Sequence, residues 1–134
     1  MGKIRSEASR DAEVNSMQRK MRIGIMSREG FQKYTMDIAR GKKKPHANAP
    51  KIWFESVESM AQVLSTRNQE LLKTIKEKKP RSLKELASTS GRQISNLSRT
   101  LKNMERYGIV ELRKESGSIK PLVCVDTFSA VFGF

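Results

Sequence analysis

The chain has 134 residues, 37% of them hydrophobic, and its 27 Lys and Arg outweigh 14 Asp and Glu to leave a formal net charge of +13. That length supports one compact domain with appendages, and that charge favours a polyanionic partner. One His and one Cys exclude the usual metal clusters and an internal disulfide; no apolar run reaches membrane-spanning length or forms a signal-peptide core, so a cytoplasmic protein with no membrane partner is expected.

Enzymatic chemistry finds no foothold. His46 lies in a Lys- and Pro-rich stretch, and Cys124 in an apolar run that makes it a core residue rather than a redox sensor. Gly41-Lys42-Lys43-Lys44 lacks the Gly-rich turn of a phosphate loop. No catalytic residue, cofactor or metal is expected.

Residues 1–19 mix charges with weak apolar markers (Ile4, Ala8, Ala12, Val14), which predicts a frayed helix or flexible tail. Met21 to Met26 alternates like a strand. Ser27 then caps a helix through Arg40, with Glu29 in its first turn and Phe31, Tyr34, Thr35 and Ile38 on one face. A lone strand and helix cannot bury that face. Residues 20–41 therefore form an arm that packs on the rest of the chain, on a second copy or on another protein, through Phe31, Tyr34 and Ile38. Residues 42–51 carry Lys42, Lys43, Lys44 and Lys51, two Pro and no acid. We read them as a basic hinge in preference to a phosphate-tracking arm.

Ile52-Trp53-Phe54 reads as a short strand able to pair with residues 21–26, within the chain or across a dimer. Trp53 and Phe54 hold much of the aromatic area and complete the anchoring or partner surface. Ser56 caps a helix through Leu64, with Val57, Met60, Ala61 and Leu64 inward. Ser65 and Thr66 open the next helix, whose inner stripe is Leu71, Leu72 and Ile75 and which Lys78-Lys79-Pro80 ends.

The segment from Ser82 to Gly108 is the most informative. Ser82 and Glu85 make a capping box, Leu83, Leu86 and Ala87 share a face, and Gly91 supplies a sharp turn. A longer helix follows, with Ile94, Leu97, Leu101 and Met104 at helical spacing and Gly108 as its stop. Short helix, tight turn and longer helix form a helix-turn-helix. At about 100° per residue, Arg92, Ser95, Asn96, Arg99, Asn103 and Arg106 point away from the apolar stripe, with Lys102 and Gln93 at its edges. Arg, Asn and Gln carry the paired donors and acceptors that match base edges in the major groove. Glu105 is the only acid on this helix.

Ile109 to Glu115 alternates like a half-buried strand, Ser116-Gly117-Ser118 is a turn signal, and Leu122 to Val125 is a return strand. A helix-turn-helix followed by a hairpin is the winged-helix plan. Arg113, Lys114 and Lys120 near the hairpin tip suit a phosphate-contacting wing as well as they suit a plain stabilising hairpin. The ending Phe128-Ser-Ala-Val-Phe-Gly-Phe134 puts three Phe in an aromatic tail, residues 127–134, which needs a partner or folds back on its own dimer.

Residues 52–126 resemble the MarR-type winged-helix regulators: Ser95-Asn-Leu-Ser-Arg-Thr-Leu-Lys-Asn-Met-Glu-Arg-Tyr-Gly-Ile-Val110 is similar to their recognition helix and first wing strand. Over roughly residues 20–126, with the Phe54-Glu-Ser-Val-Glu-Ser-Met60 entry, the chain also resembles a group of small prokaryotic DNA-binding proteins described as antitoxin-like regulators encoded beside a small toxin. The resemblance implies a winged helix-turn-helix over 52–126 and, as a further partner, a small toxin held by an aromatic surface such as Phe31, Tyr34 or Phe128.

The sequence thus predicts a mainly α fold with a small β-hairpin wing and an N-terminal strand–helix extension. Its expected function is sequence-specific binding of double-stranded DNA by a homodimeric transcriptional regulator, a repressor or an antitoxin. Arg92, Gln93, Asn96, Arg99 and Asn103 are the candidates for base edges; Ser95, Lys102, Arg106, Arg113, Lys114 and Lys120 are those for phosphates. The rival readings are a winged-helix protein-interaction module with only non-specific nucleic-acid affinity, and an RNA-binding protein. The second is disfavoured because no aromatic stacking platform is evident.

Overall fold

The computed structural model describes residues 19–44 and 49–132, so the expected N-terminal tail up to residue 18, His46 and Phe134 lie outside the described residues. In chain order these form β1 (Lys20–Ile25), α1 (Arg28–Ala39), β2 (Ile52–Phe54), α2 (Val57–Val63), α3 (Thr66–Lys78), α4 (Leu83–Ser90), α5 (Ile94–Arg106), β3 (Val110–Glu115), β4 (Ser118–Val123) and β5 (Thr127–Phe132). The fold is mixed α and β, with more strand than the expected mainly α plan. Two units share the chain, one of residues 66–126 with Arg19, the other of residues 20–65 with 127 onward. Strand pairing joins residues 52–54 and 127–132 to the N-terminal segment, so the units part at residues 65/66, later than the expected 51/52, and at the expected 126/127.

In the second unit β1 is the central strand of a parallel sheet in the order β2-β1-β5. β1, α1 and β2 make a crossover unit within one chain. The alternation in β1 decides the faces. Gly24 is in register with Trp53 on one side and Val131 on the other, so these three share a face. α1 covers it: the rings of Phe31 and Tyr34 each lie 5.6 Å from that of Trp53. Trp53 in turn packs directly against Gly24, where an added Cβ would meet the indole at 2.3 Å. Only glycine leaves room for the ring. The other face carries Ile23, Ile25, Ile52 and Phe54, all buried.

The helix starts follow the expected chemistry. Ser27 Oγ accepts from the Gly30 N–H, and Ser56 forms a reciprocal box with Ser59. In α2, however, Val57 is 45% exposed and the buried residue is Val63, so the inward face is rotated from the expected one. The tail is a strand, since residues 127–132 complete the sheet beside β1. Phe128 thereby finds a half-buried place in register with Met21, while Phe132 stays 52% exposed.

In the first unit α3, α4 and α5 pack around Leu71, Leu72, Ile75, Leu86, Leu97, Leu101 and Met104, closed by Ile109, Val110, Leu122, Val123 and Val125 from the hairpin segment. Ser82 Oγ accepts from the Glu85 N–H, but the returning Glu85 carboxylate takes the N–H of Arg81 instead of that of Ser82. Gly91 ends α4 at φ 75° with open space around its Cβ position, so backbone handedness alone requires glycine there. β3 and β4 pair through Glu115↔Ser118, and both central turn residues, Ser116 and Gly117, have positive φ, as two-residue hairpins require. β4 starts four residues before the expected return strand and includes Pro121. Pro121 faces Leu112, and a proline fits there only where no ladder N–H is needed.

Candidate nucleic-acid interface

The core dictates how α5 is displayed. Leu97, Leu101 and Met104 are essentially fully buried, which turns the opposite side of the helix outward. Gln93, Ser95, Asn96, Arg99, Lys102, Asn103 and Arg106 are all exposed. The first turn holds no acid, and Gln93 at the N-cap makes no side-chain bond to the helix amides. The positive end of the helix dipole is therefore uncompensated by side chains. The arrangement offers amide and guanidinium groups, three cations and a positive helix end on one exposed face.

Glu105 would oppose that charge, but its carboxylate is committed elsewhere. Its Oε2 accepts the Leu112 N–H at 3.0 Å. Leu112 faces Pro121, which has no N–H to donate, so this pair occupies a non-hydrogen-bonded position and the Leu112 N–H points away from β4. Glu105 fills that open bond and ties the end of α5 to the hairpin. Sequence reasoning missed this role; the signal available was a proline inside the return strand.

Two expected positions differ. Arg92 does not share the exposed face of α5. Its guanidinium donates to Asn68 Oδ1 at 3.2 Å and to the Arg67 carbonyl at 2.8 Å, bracing the turn against the start of α3. Burial, and then repulsion from Arg67, lowers its pKa, while Glu70 pulls the other way. Ile94, expected in the apolar stripe, is 48% exposed, because the first turn of α5 projects past the buried layer.

The hairpin offers less charge than expected. The Arg113 side chain is 9% exposed and pairs with Glu111 at 3.4 Å, so it lies along the strand. Lys120 is half-buried in register with Arg113, and only Lys114 of the three is exposed. Cys124 is half-buried, and burial, reinforced by Glu111 and opposed by Arg19 and Arg113, pushes its thiol pKa up. A raised pKa disfavours the reactive thiolate.

The residues expected on a dimer or partner surface separate. Phe54 is 3% exposed and belongs to the core of its unit. Trp53 is half-buried beneath Phe31 and Tyr34, and Ile38 and Phe128 are half-buried. Phe31 keeps 36% exposure, and Met36 and Phe132 are more open. Among the described residues no group of His, Cys, Asp and Glu could hold a metal, and no helix is long and apolar enough to cross a membrane.

A family model described as HVO_A0114 matches residues 63–130, just over half of the chain, and that description names no activity. No curated protein and no solved structure matches.

Proposed function

The chain belongs to the HVO_A0114 family, and on that premise we propose that it is a sequence-specific double-stranded DNA-binding regulator built on a winged helix-turn-helix. In this reading α4 and α5 are the helix-turn-helix and β3–β4 the wing. The observation that carries it is the exposed face of α5, on which Gln93, Asn96, Arg99 and Asn103 stand beside Ser95, Lys102 and Arg106 while the helix's one acid is bound to Leu112. Arg99 takes a guanine edge as a two-donor fork, worth about 1–3 kcal/mol of discrimination. Ser95, Lys102, Arg106 and Lys114 hold phosphates and set the register. Arg92 supports the helix from behind. The MarR-type resemblance and the net charge of +13 support the same reading.

The protein acts as a cytoplasmic homodimer on a pseudo-palindromic site, its two reading helices about 34 Å apart in successive major grooves. Occlusion of a promoter makes it a repressor. Its exposed Phe31, Met36 and Phe132 give the unit of residues 20–65 and 127 onward the apolar surface that a second copy or a small toxin would cover.

The test is a competitive shift assay on a duplex selected from a random library, with the wild type and Arg99→Ala. The variant should lose its preference for the selected site while keeping weak binding that falls steeply with salt. Equal preference in both proteins would remove α5 as the reading element. Binding of the wild type that is feeble and indifferent to sequence would favour the protein-interaction reading.

A further inference from the structure

Resting on the DNA-binding reading, we infer that Ile94 is a specificity-determining residue that contacts the 5-methyl group of a thymine in the major groove. Across the described part of the unit of residues 66–126, Ile94 is the one large apolar side chain left exposed, at 48%. The core does not need it: Leu97, Leu101 and Met104 fill the inner side of α5 with almost no exposure. Ile94 is the first residue of the helix, directly before Ser95 and Asn96, and all three are exposed.

A β-branched aliphatic side chain at the open end of a cationic helix calls for an apolar contact inside an otherwise anionic partner. Duplex DNA has one such group at the level of the base edges in its major groove, the thymine methyl. The N-terminal residues of a reading helix are those that reach base edges. The surroundings of Ile94 (the uncapped helix start, the exposed Ser95 and Asn96 that follow it, and no acid in the first turn) suit a duplex and repel a basic protein surface. Ile94 also has few rotamers to lose on binding, because branching at Cβ restricts χ1.

The experiment uses the full chain. A preferred duplex is selected from a random library with the wild type, and each thymine in it is replaced in turn by deoxyuridine, which removes only the methyl. The result expected is one position per half-site at which the replacement weakens wild-type binding about four-fold, the effect of withdrawing one buried methyl. Ile94→Ala should bind the thymine and deoxyuridine duplexes equally at that position, with the salt dependence of binding unchanged; Ile94→Val should keep part of the difference. A wild type indifferent to deoxyuridine at every position overturns the inference while leaving the DNA-binding reading in place, and this arm needs no variant to fold. An Ile94→Ala protein that keeps the full deoxyuridine penalty overturns it as well. If no duplex is selected at all, the DNA-binding reading and the inference fall together.

Discussion

Replacing Gly24 by Ala puts the packing of the parallel sheet under a direct test. A Cβ at residue 24 would lie 2.3 Å from two carbons of the Trp53 ring and 2.7 Å from a third. Ordinary carbon contacts are about 3.5–4.0 Å, so the ring must lift by more than about 1 Å. It cannot do so alone, because Phe31 and Tyr34 of α1 rest on it at 5.6 Å. Overpacking of this kind costs about 1–3 kcal/mol, and each disturbed aromatic pair adds about 0.5–1.5 kcal/mol. With the pairs only partly lost, we expect about 2–4 kcal/mol for Gly24→Ala and a fall of about 1–2 M in the urea midpoint. Trp53 is the only tryptophan in the chain, so its emission reports this site without labelling. The native emission should shift to the red as the ring becomes wetter. A circular-dichroism titration of the Trp53→Leu background should show Gly24→Ala costing much less, because a leucine can turn away. Unchanged emission together with an unchanged midpoint in Gly24→Ala would refute the packing of the indole against residue 24.

Glu105→Ala should lower the stability of its unit by about 1 kcal/mol, below the roughly 1.5–3 kcal/mol of a hydrogen bond to a charged group because this carboxylate is exposed; Glu105→Gln keeps an acceptor and should lose less, and equal midpoints for all three proteins in urea would discount the tie to Leu112. Arg92→Ala should cost a similar amount in a thermal melt while the ranking of DNA sites in a competition assay stays as in the wild type; a changed ranking would return Arg92 to the base-reading set. Cys124, its thiol pKa raised, carries less thiolate at pH 7.5 than a free cysteine. Iodoacetamide should therefore label the native protein more slowly than the urea-unfolded one, and the native rate should climb to half its maximum above the pH at which an ordinary thiol does so. Mass spectrometry reads both rates, and equal labelling at pH 7.5 would contradict the shift.

Local order was legible wherever adjacent residues decide it. Ser27, Ser56 and Ser82 cap the helices expected of them, Gly91 turns the chain, and the spacing of Leu97, Leu101 and Met104 identifies the buried side of α5. The exposed polar face of that helix follows from the same periodicity. Ile94 was misplaced for a related reason: its spacing fits the stripe, but periodicity does not tell where along the helix the core ends. Val57 fails in the same way at the start of the short α2.

Composition and periodicity by themselves determined that this protein is strongly basic, where its helices and the strands β1, β2 and β3 lie, and which side of α5 carries Arg99 and Asn103, since these depend on charge count and on residue patterns within one segment. Tertiary structure alone decided that residues 127–132 lie parallel to β1, that Trp53 covers Gly24, that Arg92 braces α3, and that Glu105 serves the Leu112 N–H opposite Pro121. Each of these joins groups apart in the chain, and the partner that satisfies a strand edge, a guanidinium or a spare N–H is chosen by which group the packed backbone brings within reach.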